Sequence, residues 1–341
     1  LYVAVKLNHK VLGVRDTATA DFYIVNEKNL RGKYTLNAAM KDADGNVLER
    51  ASWPVTVTGG TTYGEPLHLG WNLMMRKPGY ATVEAELVRG GETAAAGSDE
   101  LFAVKLDASG IPTGGMVADT SGVLDRFLSL AGVGPLKEYR AGIPDGEWLL
   151  VGAFEPQQWG SGMSDIMEWV YKGHTLVVAG NAERWAEFLA DKEVLDYRGA
   201  KKLGTSWYGG NFFVRKHPLF EGLPTDCAFN WEYQCFATYN RNRVGLRNFN
   251  GETVVGCVSD HKKEVYSALS VIPAGRGQVI LTTLDIFACL QDLQAPTGPV
   301  DIEGMNESMN TFNNSRENKA NIVGQQLLLN LLKAAGRLPQ W

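Results

Sequence analysis

Glu147-Trp-Leu-Leu-Val-Gly-Ala-Phe154, a polar Gly-rich break, Met163-Ser-Asp-Ile-Met-Glu-Trp-Val-Tyr-Lys-Gly173 and His174-Thr-Leu-Val-Val-Ala-Gly-Asn-Ala-Glu-Arg-Trp-Ala-Glu-Phe-Leu189 read as strand, helix, strand, helix. Residues 148–151 and 176–179 are short continuous apolar runs, the signature of strands buried on both faces. Between them Ile166, Met167, Trp169 and Val170 recur at helical spacing, and Gly173 stands where a helix stops before the next strand. Two buried strands joined by a helix form a right-handed crossover, and hence a parallel sheet. In such a sheet the chemistry gathers at the carboxyl ends of the strands, here Gly180-Asn181-Ala182-Glu183.

Upstream the periodicity is different. Tyr34, Leu36, Ala38 and Met40 alternate with Lys33, Thr35, Asn37 and Lys41, the pattern of a strand with one wet face. Asp42-Ala-Asp-Gly45 is a hairpin turn, and its partner strand runs from Val47 through Trp53 to Val57. Phe22 to Asn26 reads as an apolar strand. Val83, Ala85 and Leu87 face inward before Arg89-Gly-Gly-Glu92 turns the chain back. Regularly spaced strands with turn signals between them predict an all-β immunoglobulin-like sandwich over 1–108.

The run Leu106-Asp-Ala-Ser-Gly-Ile-Pro-Thr-Gly-Gly115 reads as a linker into an α/β domain covering 109–341. That domain starts with a strand over 115–119 and a helix carrying Val123, Phe127, Leu128 and Leu130. After the central unit, strands are expected at 211–214, 229–236, 253–258 and 278–283, with Gly275-Arg-Gly277 as a hairpin turn. Trp231 and Tyr233 alternate on the second of these, with Trp231 in the core. The tract 294–314 reads as a surface loop, and a closing helix runs from Ser315, as N-cap, to Leu332, with Gly336 as its stop.

Composition bounds the function. With 45% apolar and 21% charged residues over 341 positions, the chain can bury a large core, and its length favours two domains. A formal charge of -5 with no Lys/Arg run leaves no footprint for nucleic acid. No stretch reaches the length of a membrane-spanning helix. Cys227, Cys235, Cys257 and Cys289 show no zinc-type pair spacing; buried free thiols are expected, with one disulfide left open. Leu1 already lies in the strand-like Leu-Tyr-Val-Ala-Val-Lys-Leu, which leads us to expect a processed chain or part of a longer one.

The stretches LYVAVKLNHKVLGVRDTATADFYIVNEKNLRGKYTLNAAMKDADGNV and TVTGGTTYGEPLHL resemble the β-sandwich that follows the catalytic barrel in family 2 glycoside hydrolases. WLLVGAF, YKGHTLVVAG, HPLFEGLPTD, IPAGRGQVILTTLDI and QQLLLNLLKAAG resemble a class I glutamine-amidotransferase-like α/β domain of the kind attached to some β-galactosidase-type enzymes. The resemblance implies a three-layer second domain and a parent reaction on β-linked sugars by two carboxylates of a catalytic barrel outside this chain. That barrel is the expected partner, with an oligosaccharide and a further copy of the chain as other candidates and a periplasmic or extracellular location.

In amidotransferases the strand tip carries a cysteine activated by a distant histidine. Here Val178-Ala-Gly-Asn-Ala-Glu183 has no Cys, Ser or Thr, so no amidotransferase activity, no catalytic residue and no cofactor or metal ligand is expected. Asn26-Glu27 echoes the Asn-Glu pair of family 2 barrels, but it sits in a turn with no facing glutamate placed as a retaining pair requires, and reads as a solvated loop. Asp119-Thr-Ser-Gly122 has the makings of a phosphate loop at a helix N-terminus, and underlies an alternative reading as a flavodoxin-like small-molecule-binding protein. Trp159, Trp207 and Tyr208 lie in Gly-flanked loops as candidate stacking faces for sugar, with Gln157, Gln158 and Asn181 as neutral hydrogen-bonding groups. The expected role is that of a non-catalytic accessory region, architectural or at the substrate rim; a stand-alone carbohydrate-binding module is the other alternative. His217-Pro218 opens a turn that packs Leu219 and Phe220 inward, and His174 is expected to be structural.

Overall fold

The computed structural model describes residues 1–160, 162–202, 212–237, 244–259, 264–291 and 319–336, apart from the side chains of 62, 259 and 291. The chain divides into two compact units, Leu1–Lys105 and Leu106–Trp341.

The first unit is built from eight strands: β1 (Tyr2–Leu7), β2 (Val11–Gly13), β3 (Thr17–Asn26), β4 (Gly32–Asp42), β5 (Val47–Val57), β6 (Thr62–Met74), β7 (Gly79–Arg89) and β8 (Glu92–Val104). They form a three-stranded sheet, β1-β3-β6, and a five-stranded sheet, β2-β8-β7-β4-β5. Alternation decides which side chains go inside. Leu36, Ala38 and Met40 of β4 and Val83, Ala85 and Leu87 of β7 meet Phe22 and Ile24 of β3 in one core. Each fully buried side chain of Leu, Ile or Phe size contributes about 1.5–3 kcal/mol. The hairpin at Asp42 forms as the sequence requires: the Asp42 carboxylate accepts from the amides of Asp44 (3.0 Å) and Asn46 (2.8 Å). The open side between edge strands β5 and β6 is filled by aromatic rings, with Trp53 stacked on His68 at 3.8 Å and Trp71 edge-on to Trp53 at 5.8 Å.

The second unit contains β9 (Gly115–Ala118), α1 (Val123–Leu130), β10 (Lys137–Glu138), β11 (Trp148–Val151), α2 (Gly162–Tyr171), β12 (Thr175–Val178), α3 (Ala182–Asp191) and β13 (Tyr197–Lys202). There follow β14 (Phe212–Val214), β15 (Cys227–Ala228), α4 (Gln234–Ala237), β16 (Val244–Asn248), β17 (Glu252–Ser259), β18 (Glu264–Ala274), β19 (Gly277–Thr282), α5 (Ile286–Gln291) and α6 (Asn321–Lys333). Among the described residues, one mixed sheet holds all its strands. The run β10-β9-β11-β12-β19 is parallel, and β18, β17, β14 and β15 continue from β19 antiparallel. Every residue of β9, β11, β12 and β19 is buried. On one face Leu149, Val151, Leu176, Val178, Val279 and Leu281 meet Met163, Ile166 and Val170 of α2 and Trp185, Ala186 and Leu189 of α3. The side chains that alternate with them, Val117, Leu150, Val177 and Ile280, are equally buried on the other face. The central crossover read from the sequence is thus present.

Two expectations are revised: the strand at 229–236, with Trp231 in the core, and the start of the closing helix. Residues 229–236 do not form a strand. Pairing ends at β15, and Trp231–Tyr233 and α4 form a 3-10 turn and a short helix. The physical reason is spacing: Phe229, Tyr233 and Phe236 stand three and four apart, and Phe229 stacks on the other two rings at 4.3 and 5.9 Å, as a helical turn brings them together. Tyr233 is therefore buried, and Trp231, expected in the core, is only half-buried. The closing helix begins at Asn321, and the expected N-cap Ser315 and the tract 294–314 lie outside the described residues. The four cysteines are free thiols: Cys235, Cys257 and Cys289 buried, Cys227 half-buried.

The stretch read as a linker is pinned at its start. The Asp107 amide donates to the Gln326 side chain (2.8 Å), and the Asp107 carboxylate pairs with the Lys333 ammonium at 2.7 Å. Gln326 donates in turn to Asn330 (2.8 Å), which reaches the Glu221 carbonyl (2.9 Å). The bond from Lys333, then that from Ser109, holds the Asp107 carboxyl well below the ordinary carboxylate range. Lys333 is 8% exposed and Asp107 45%. Asp107→Asn leaves a buried ammonium without its anion, and lowers the unfolding free energy at neutral pH by about 2 kcal/mol, below the full buried-pair penalty because Asp107 is half in water. The folded pKa lies below the unfolded one, so this stabilisation is complete above the unfolded value and is lost as pH falls through the folded one. Urea denaturation at several pH values checks it: the gap between wild type and Asp107→Asn is constant from about pH 7 to about pH 5 and narrows below about pH 4.

Candidate functional site

The carboxyl ends of β9, β11, β12 and β19 lie side by side, and the loops leaving them hold the polar side chains. Two glycines permit this crowding. A Cβ on Gly180 would stand 2.2 Å from the Gly152 carbonyl oxygen, and one on Gly152 would meet Phe287 at 2.4 Å and Leu124 at 2.7 Å. With β11 and β12 so close at their tips, the chain leaves β12 through a sharp turn into α3. Asn181 occupies that turn at φ 53° and ψ 34°, the left-handed region. Asparagine enters it more readily than most side chains, and still at a cost. Its backbone carbonyl accepts from Trp185 (3.1 Å) to begin α3, while its carboxamide makes no capping bond and stays exposed.

Asn181 stands in a cleft of about 690 Å³ whose wall also carries Glu155, Glu183, Arg184, Glu187 and Asp285. Several of these groups are committed. Arg184 pairs with Glu187 at 3.4 Å, Asp285 accepts from the Ala288 amide at 3.1 Å, and Glu155 and Gln158 cap each other around a 3-10 turn. The hydroxyls of Thr282 and Thr283 donate to the carbonyls of Ala268 (3.0 Å) and Val244 (2.6 Å). Four carboxylates face one guanidinium, so the cleft repels anions, and the neutral Asn181 amide stands exposed among them. Among the described residues no group of three His, Cys, Asp or Glu side chains is arranged to hold a metal ion.

The loop 119–122 shows the same bias. Asp119 accepts from Ser121 N (3.1 Å), Ala153 N (3.1 Å) and Leu124 N (3.0 Å) and from the Ser121 hydroxyl (2.7 Å). A carboxylate of the chain itself thus takes the amide donors at the start of α1 that a phosphate would need, and ties the tips of β9 and β11 together. This arrangement counts against the flavodoxin-like alternative.

The other sequence candidates scatter. Trp159, expected to offer an open face to sugar, is only 6% exposed. Pro156 starts a 3-10 turn that swings the indole inward, where Phe154 stacks on it at 4.7 Å and Tyr139 and Trp185 meet it edge-on at 5.1 and 5.3 Å. Its faces are covered by protein, and its indole nitrogen is buried with no hydrogen-bond partner among the described residues. Gln157 is exposed on the same turn; Gln158 is spent on the Glu155 amide (2.6 Å). Trp207 and Tyr208 lie outside the described residues. Asn26 is fully buried and holds its turn through both bonds to Leu30 (2.8 and 2.9 Å), while Glu27 is exposed. His217 caps the turn that buries Leu219 and Phe220, and desolvation lowers its pKa despite Glu252 at 3.6 Å. His174 stacks on Trp169 at 4.7 Å. The sequence reading did not single out Glu155 and Asp285, which stand just after β11 and β19, or Arg184 and Glu187, which stand on α3 just after β12; the sole sequence signal was that each follows a parallel strand.

No family model and no curated protein matches this sequence. Solved structures similar to parts of it include glycoside hydrolases. A family 2 member from Bacteroides cellulosilyticus matches at 13% identity and TM-score 0.25, covering 56% of this chain and 32% of its own. A calcium-binding mutant of Bacteroides uniformis beta-glucuronidase 2 matches at 11% and 0.23, covering 52% and 23%. The chain thus spans about a third or less of the length of these hydrolases. A putative ThuA-like protein from Parabacteroides merdae matches at 12% identity and TM-score 0.37, covering 67% of this chain and 93% of its own. Likenesses this weak assign this chain no activity.

The burial of Trp159 sets an expected outcome. Trp159→Ala empties a site enclosed by three aromatic rings and lowers the unfolding free energy by about 3–5 kcal/mol, whereas Gln157→Ala changes it by less than about 0.5 kcal/mol. Chemical denaturation of the two variants measures the difference.

Proposed function

We propose that this chain is a non-catalytic accessory region of an enzyme acting on β-linked sugars, and that its second unit touches neutral glycan at the strand-tip cleft. The observation that carries this is Asn181. It is held in a left-handed turn at the strand end where this architecture places its chemistry, with its carboxamide exposed and spent on no cap. An amide both donates and accepts, which suits a vicinal hydroxyl pair and cannot act as a nucleophile or a general acid at neutral pH. The acidic wall favours an uncharged ligand over a phosphate or a uronate. The sequence resemblance to the region following the barrel of family 2 glycoside hydrolases supplies the context, with hydrolysis carried out by carboxylates elsewhere. On this reading the second unit is an amidotransferase-like α/β scaffold in which Asn181 stands at the nucleophile's position and the crowded tip is kept for binding.

Binding through one open cleft with few polar contacts is weak, with a Kd of about a millimolar. Titrating the full chain with β-linked disaccharides should move the backbone-amide resonances of 179–184. Asn181→Gly is the discriminating variant, since glycine adopts the left-handed turn freely and removes only the carboxamide. It should keep the fold and the stability and abolish the shifts. Absence of any shift in the wild type through about 50 mM, or shifts that persist in Asn181→Gly, rejects the cleft as a glycan contact.

A further inference from the structure

The outer face of the five-stranded sheet carries a second hollow, of about 600 Å³, independent of the strand-tip cleft. It exists because of one small residue. The outward-facing side chains of β4 are Lys33, Thr35, Asn37, Ala39 and Lys41, and Ala39 stops short where its neighbours extend. Across the ladder Ala39 lies opposite Arg50 of β5 and Glu84 of β7, and Asn37 lies opposite Ser52 and Glu86. The floor is therefore a methyl group, with longer polar side chains rising from the strands on both sides.

The polar groups of this hollow are partly spent and partly open. Lys41 pairs with Glu84 at 2.5 Å, and the Ser52 hydroxyl donates to the Asn37 carbonyl oxygen at 2.8 Å, which leaves the Asn37 amide hydrogens pointing to solvent. Arg50 and Glu86 have no ion-pair or hydrogen-bond partner among the described residues. We propose that this hollow is a second binding site for a neutral oligosaccharide, taken as β-linked on the reading given under Proposed function. Lys41 and Arg50 balance Glu84 and Glu86, so no net field draws in an ion. A guanidinium offers paired donors and a carboxylate paired acceptors, spaced for the adjacent hydroxyls of a sugar ring. Val47, 37% exposed at one end of the hollow, supplies an apolar patch for a ring's C–H face. A protein partner fits poorly: the central part of a protein–protein interface is depleted in charge and rich in aromatic side chains, and the only large apolar side chain here is Val47. The volume lies in the range of small-ligand sites.

The test uses the full chain and two probes, cellotetraose and β-1,4-galactotetraose, followed by backbone-amide shifts. Saturable shifts are expected at 37–41, 50–52 and 84–86 with at least one probe. They should survive Asn181→Gly, which keeps this site separate from the strand-tip cleft. The Arg50→Ala/Glu86→Ala double variant should weaken binding at least about tenfold, the loss of two charged hydrogen-bonding groups. Ala39→Gln, which fills the hollow and keeps every polar group, should abolish it while the rest of the spectrum stays as in the wild type. No shift at these amides with either probe through about 20 mM overturns the proposal, and so does binding that Ala39→Gln leaves intact.

Discussion

The near contact of Gly152 with Gly180, where a single added carbon would stand 2.2 Å from a carbonyl oxygen, constrains everything at the carboxyl edge of the parallel strands. Gly180 has no room for a side chain against the Gly152 carbonyl, and Gly152 has none against Phe287 and Leu124. The turn out of β12 must then be sharp, and it places Asn181 in the left-handed region with its carboxamide facing outward. On the other side of β11, Asp119 accepts amides from its own loop, from α1 and from Ala153, and fixes the third strand tip to the second.

The same edge explains the electrostatics. A helix N-terminus attracts anions, and this unit meets that demand internally, with Asp119 at α1 and Asp285 at α5. What remains exposed in the cleft is a neutral amide among acidic groups. A strand edge of the kind that elsewhere receives phosphate is here lined by four carboxylates and one guanidinium around a neutral amide. In the sandwich a similar logic acts through alternation: one face is fully committed to the core, and the other is free to vary, so that a single alanine makes a hollow.

Much of the fold was legible from periodicity. Residues 148–151 and 176–179 had to be strands because continuous apolar runs of that length are stable only between two covered faces, and 33–41 had to be a half-wet strand because its polarity changes at every residue. The misreading of 229–236 has a clear cause. Phe229, Tyr233 and Phe236 share a helical spacing, yet Trp231 and Tyr233 also satisfy a period of two, and a window this short cannot separate the two patterns. A closing helix was legible from its leucines, read from Ser315 to Leu332 where the structure has Asn321–Lys333, whereas the pinning of Asp107 to it joins residues more than two hundred positions apart and leaves no local signal.

The sequence by itself determined the strand-helix-strand order, the alternation that builds the sandwich, and the absence of Cys, Ser or Thr at the strand tip, because each is a property of neighbouring residues. Tertiary structure alone decided what the aromatic and polar side chains face. Trp159, between a proline and a glycine, carries every local mark of an open loop; Tyr139 and Trp185 from other segments close over it together with Phe154. Glu155, Asn181, Arg184 and Asp285 share a wall because parallel strands deliver the segments that follow them to one edge, and Arg50 and Glu84 flank Ala39 because of cross-strand register. Burial and proximity are set by the packing of segments far apart in the chain, and no local pattern encodes them.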